Sequence, residues 1–213
     1  MSNWIKEHVV FYYDVKKQGA TNETLKESAY LQDLSGKGRR MKLNNFLFDM
    51  MSGIGKDNSL VTDGVDDYGL VENLSSGVKM LFMTVNPIGN FNIGKVYYVQ
   101  SSLNKPFWVS ANINSIAYNK NNPNGITYID GVLNESVKPE NLFNIKHTIT
   151  IVNGTVDSTN GRQPVFFANE HRSGYFPKLA FYNSIAFDSI PTEADGFTEQ
   201  ELIDYVIDKY ELK

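Results

Sequence analysis

Recognition of a glycan needs aromatic rings beside side chains that exchange hydrogen bonds with hydroxyls, and two stretches of this sequence carry that combination. In the first, Trp108 and Tyr118 precede Asn119, Asn121 and Asn122; in the second, Tyr175 stands close to His171 and Arg172. These residues are the candidate carbohydrate-binding set. Each aromatic also has a plainer reading as core on an alternating strand, and for Trp108 and Tyr118 that reading is the better one.

A second chemistry is binding of a hard cation. Asp63, Asp66 and Asp67 crowd oxygen ligands of the kind Ca²⁺ takes, although the Asp-x-Asp-x-Asp-Gly loop pattern is missing. The competing reading is a bend in which short acidic side chains accept from nearby backbone N–H groups, and it is preferred. Otherwise no cofactor or metal is expected. His8, His147 and His171 lie far apart without ligand spacing, and the chain has no cysteine for a thiolate site, a nucleophile or a disulfide. Gly53-Ile54-Gly55-Lys56 and Ser35-Gly36-Lys37-Gly38 lack phosphate-loop spacing and a following helix, so both read as turns.

The elements that would position these residues are strands. Asn58 to Leu74 places Asp63-Gly64, which tolerates positive φ, between Leu60-Val61 and Tyr68 to Val71, so two strand segments meet at a corner. Such a corner carries a chain from one sheet of a sandwich to the other or along its edge. His8 to Tyr13 reads as the first strand, Thr24 to Glu27 as a short helix and Met41 to Phe48 as a strand. Val78 to Val85 is an almost unbroken apolar run, as expected for a strand buried on both faces. Lys95 to Ser101, Phe107 to Ala111 and Ile113 to Tyr118 follow as strands, and Asp130-Gly131 marks a two-residue hairpin turn.

Ile145 to Ile151 alternates, with Ile145, Ile149 and Ile151 towards a core and Lys146, Thr148 and Thr150 towards water. Lys178 to Asp188 groups Leu179, Phe181, Ile185 and Phe187 on one face, predicted to lie between two sheets. Thr198 and Glu201 form a capping box that starts a helix whose apolar stripe is Leu202, Ile203, Val206, Ile207 and Tyr210.

The composition agrees with an all-β domain. Of 213 residues 13% are aromatic, with 12 Tyr and 13 Phe, which favours strands and a packed core. Apart from the Lys37 to Lys42 turn the basic residues are scattered, and the net charge is -4, which argues against a nucleic-acid partner.

Three motifs carry a family resemblance. Leu60 to Tyr68 resembles the "F-D-G-V-D-D-Y" corner of the laminin-G-like, concanavalin A-like β-sandwich family, with Thr62 where an aromatic is more usual. Asp33-Leu34-Ser35-Gly36-Lys37-Gly38 before Leu43-Asn44-Asn45-Phe46 is similar to its "D-x-S-G-N-G" and "L-x-N" pair, and Tyr128-Ile129-Asp130-Gly131 to its "Y-x-D-G" hairpin. A long strand running into a short acidic helix at the end of the chain fits as well. The resemblance implies an all-β, two-sheet antiparallel jelly-roll sandwich forming a single domain over 1–213, with a C-terminal helix over 199–210.

That family hosts lectins, hydrolases, adhesion modules and virion proteins. Its glucan hydrolases place acids at alternate strand positions, whereas Glu193, Asp195 and Glu199 here have other spacing and are interrupted by Gly196 and a helix cap. No enzyme is therefore expected. The N-terminal apolar run is too short for a secretory signal or a membrane span, which predicts a chain made in a bacterial cytoplasm. The resulting expectation is a non-enzymatic, lectin-like structural or adhesion protein of a bacteriophage virion, a head or tail decoration or a fibre. Its expected partners are other copies of itself, other virion or surface proteins and glycans, without nucleic acid or membrane. The alternatives are a soluble or cell-surface carbohydrate-binding module and, third, a glycan hydrolase.

Overall fold

The computed structural model describes residues 1–49, 51–74, 77–88, 94–99, 107–112, 115–118, 126–133, 144–152, 165–168 and 176–212, with backbone alone at 94–99, 107–112 and 115–118. Among these, one sheet has eight strands. It runs β12 (Val132–Leu133), β11 (Ile126–Ile129), β13 (His147–Val152), β7 (Met80–Pro87), β15 (Leu179–Phe187), β5 (Leu60–Val61) and β4 (Gly53–Ile54), and β1 (Val9–Asp14) also pairs with β15. The other runs β10 (Ser115–Tyr118), β9 (Phe107–Asn112), β8 (Gly94–Val99), β14 (Val165–Phe166), β6 (Tyr68–Val71), β3 (Met41–Asn44) and β2 (Tyr30–Leu31). Every ladder is antiparallel.

The two sheets share one apolar core. Phe11, Tyr13, Leu81, Met83, Val85, Leu179 and Phe181 from the first meet Leu31, Met41, Leu43, Val71 and Phe166 from the second. Phe166 is central to it, with ring centroids 5.8 Å from Phe181 and 6.0 Å from Phe11. The expected corner joins the layers, since β5 belongs to one sheet and β6 to the other.

The first sheet is buried on its outer face too. Helices α1 (Ser2–His8) and α3 (Glu199–Lys209) lay Trp4, Ile5, Leu202, Ile203, Val206 and Ile207 on Met80, Phe82, Ile185 and Phe187. This double burial accounts for the apolar run of β7, whose alternate residues enter opposite cores. The capping box of α3 forms as read: Thr198 Oγ1 accepts from the Glu201 N–H at 3.2 Å and Glu201 Oε2 from the Thr198 N–H at 2.7 Å. Helix α2 (Asn22–Ser28) also forms, capped by Thr21. Helix α1 has no side-chain cap to mark it in the sequence; Trp4, packed on Phe187 and Phe197, holds it through tertiary contact.

Two expectations about faces are corrected. In β15, Phe181 pairs with Val85 and Asn183 with Thr84, so Tyr182 is an extra residue in a β-bulge and the alternation slips by one. Leu179 and Phe181 therefore lie between the sheets, whereas Ile185 and Phe187 lie under the helices. In β13 the threonine face does not meet water, because Thr148 and Thr150 are buried on the side that the C-terminal residues cover. Ile145 precedes the strand and is exposed.

Phe181 is fully buried, and Phe181→Ala should cost about 3–5 kcal/mol in denaturant unfolding. Ile185→Ala should cost about 2–5 kcal/mol and speed amide exchange in α3, because Ile185 supports the helix rather than the inter-sheet core. A loss below about 1 kcal/mol for Phe181→Ala would refute the assignment.

Candidate functional site

The residues singled out for glycan binding are mostly beyond view. Asn119, Asn121, Asn122, His171, Arg172 and Tyr175 lie outside the described residues, and for Trp108 and Tyr118 only the strand backbone is described, in β9 and β10. Of the histidines, His8 Nδ1 lies 3.0 Å from Asp188 Oδ1 and His147 Nδ1 2.7 Å from Asp130 Oδ2.

The acidic corner is described in full. Gly64 sits at φ +82°, and a Cβ there would lie 3.1 Å from Cβ of Lys178, so glycine answers both the turn and the close approach. Asp63 Oδ1 accepts from the Val65 N–H at 2.7 Å, and Asp67 Oδ2 accepts from the Asp63 N–H at 2.8 Å. Asp67 Oδ1 accepts from the Ser52 hydroxyl at 3.1 Å, tying the corner to the turn before β4. One oxygen from each of Asp63, Asp66 and Asp67 lies within 4.8 Å of the others. Three of the six carboxylate oxygens, on Asp63 and Asp67, already serve backbone and hydroxyl donors, which is the behaviour of a bend. Burial, together with the nearby charge of Asp63, pushes the Asp67 carboxyl up to about 7 despite those bonds.

A cleft of about 600 Å³ opens on the outer face of the eight-stranded sheet, where α3 ends at Tyr210 and Glu211. Its floor is the bulge. Across four strands, Thr148, Thr84, Asn183 and Asp14 stand opposite one another in a row of buried polar side chains. The Thr84 and Thr148 hydroxyls are 2.9 Å apart, and Asp14 accepts from the Tyr12 hydroxyl at 2.9 Å and the Lys17 N–H at 2.8 Å. Asn183 Oδ1 is buried without a hydrogen-bond partner. An orphaned acceptor on the floor of a cleft is a demand for a donor from outside.

Tyr182, brought to the cleft by the bulge, donates its hydroxyl to Asp57 Oδ2 at 2.6 Å, and the Lys146 ammonium lies 5.1 Å from its ring centre. Burial and the Asp57 carboxylate push the Tyr182 phenol up to about 12. Burial opposes ionisation of Asp57, but the Ser59 and Tyr182 hydroxyls outweigh it and hold the carboxyl below its ordinary value. The charges of the lining balance: Lys16, Lys17 and Lys146 face Asp14, Asp57 and Glu211. Sequence reading missed this site. Its one signal was Asn183, a polar residue where strict alternation from Leu179 to Phe187 demands an apolar one.

Two antiparallel sheets sharing a core, with a short C-terminal helix, define the chain as a β-sandwich protein. No family model matches it, and no curated protein does. Among solved structures it is similar to the binding domain of Paraclostridial Mosquitocidal Protein 1, with a TM-score of 0.34 and 13% identity over 97% of this chain and 53% of that one. The chain thus spans about half the length of that structure. Among the described residues no helix is long and apolar enough to cross a membrane.

The raised Asp67 carboxyl makes a pH prediction. The folded state holds this proton more tightly than the unfolded chain, so its stabilisation is complete below about pH 4 and is lost as pH rises through about 7. Denaturation midpoints should fall across that window and flatten in Asp67→Asn, whose amide can still accept from Asp63 and bond Ser52. Repeating the series with Ca²⁺ separates a bend from a cation site, since a bound cation would raise stability at the alkaline end.

Proposed function

We propose that this chain is a non-enzymatic binding module that recognises a polyhydroxylated ligand, a glycan, in the cleft at Tyr182. The observation that carries the reading is the lining itself: tyrosine surface from Tyr182 and Tyr210, balanced ammonium donors and carboxylate acceptors, and the unpaired Asn183 oxygen. Hydroxyls both donate and accept, so a neutral sugar can meet every one of these groups, whereas an ionic ligand finds no net charge to attract it. The volume is of the size that holds a small ligand.

Turnover is not part of the proposal. Glycoside hydrolysis needs one carboxyl kept protonated beside an ionised one, both in reach of the sugar; the carboxyl held up here, Asp67, is buried in the corner and does not line the cleft. Asp57 is held ionised by its hydroxyl partners, and Asp14 is engaged by Tyr12 and Lys17. Asp195 accepts from Thr192 in the cap of a short turn, and Glu199 accepts from Tyr128. The setting expected from the sequence, several copies in an oligomer or on a virion, would multiply a weak single-site affinity. Nothing among the described residues adds weight to the virion, and the binding reading does not depend on it.

A glycan array followed by calorimetry tests the proposal. Binding should fall by about tenfold or more in Tyr182→Ala with the unfolding transition retained, and no reducing sugar should be released from any bound glycan. Absence of binding across the array, or hydrolysis abolished by Asp57→Asn, would overturn it.

A further inference from the structure

We infer that the binding site continues across the turn at residues 16–19 into a second groove, so that the ligand is a linear oligosaccharide rather than a single terminal sugar. This rests on the glycan reading of the cleft. Lys17 lines both compartments, one of about 600 Å³ and one of about 490 Å³. The turn between them is fixed by its own bonds, from the Gln18 N–H to the Asp14 carbonyl at 3.1 Å and from the Gly19 N–H to the Lys16 carbonyl at 3.0 Å. The turn therefore has a set shape, with Lys17 exposed upon it.

The second groove shares an aromatic ring and an unpaired side-chain amide with the first, without its carboxylates. Tyr30 supplies an aromatic ring, held by the Arg40 guanidinium 4.1 Å from its centre and by its hydroxyl bond to Glu72 at 3.2 Å. Half-exposed Leu34 adds apolar surface. Gln18 Oε1 accepts from the Gln32 N–H at 2.7 Å, which fixes the amide, while Gln18 Nε2 is buried with no partner. The cleft thus has an orphaned acceptor in Asn183 and the groove an orphaned donor in Gln18. A chain of sugar units spanning Lys17 supplies hydroxyls to both, and once the first unit is held the next binds as an intramolecular event.

Calorimetry with malto-, cello-, xylo- and chito-oligosaccharides, from one unit to about six, tests this. For the series that binds, affinity should climb by about tenfold or more with length. Ser28→Trp, at an exposed position lining only the groove, should remove the climb and leave the affinity for the shortest binding sugar unchanged. Gln18→Ala should remove part of it. Affinity that does not change with length, or a climb that survives both substitutions, would overturn the extension and leave the cleft reading standing. Failure of every length to bind in a Tyr182-dependent way would overturn the cleft reading itself.

Discussion

The extra residue in β15 is the constraint on which most of the molecule depends. This strand is central to the larger sheet and buried on both faces, so the parity of its side chains decides which core each one enters. Without the slip at Tyr182, a single face would have to hold Leu179, Phe181, Asn183, Ile185 and Phe187, and an amide would be pressed between the sheets. With it, Leu179 and Phe181 seal the inner core, Ile185 and Phe187 receive the helices, and Asn183 joins a polar row on the outer face. The candidate site is a by-product of that parity change, because the bulge aims Tyr182 and Asn183 at the part of the sheet left uncovered beyond α3.

The corner between β5 and β6 is held by short polar side chains. Thr62, just before the turn, is fully buried and works by hydrogen bonding. Its hydroxyl donates to the Pro177 carbonyl at 2.6 Å and accepts from the Leu179 N–H at 3.0 Å, pinning the corner to the start of β15. Asp33, from the second motif, plays a similar part by accepting from the N–H groups of Tyr12, Ser35 and Arg39. In both places a short polar side chain satisfies backbone donors that the sheets leave unpaired.

Local chemistry was legible where it is decided within a few residues. The Asp130-Gly131 turn, with both residues at positive φ, follows from the steric freedom of those two types, and the α3 cap from the reach of Thr198 and Glu201. The β5–β6 corner and the two-sided burial of β7 were equally visible, because glycine tolerance and an unbroken apolar run are properties of the sequence itself.

What the tertiary structure alone decided is everything that needs a partner from far along the chain. Helix α1 exists because Trp4 finds Phe187 and Phe197, the threonine face of β13 is dry because the C-terminal residues cover it, and the bulge is defined only against the register of β7. The cleft gathers residues from Asp14 to Glu211 whose separations carry no periodic signal. A sequence records which side chains are apolar and which turns are permitted; it does not record where one residue too many on a central strand will turn its neighbours around, since that parity is set by the strand alongside it.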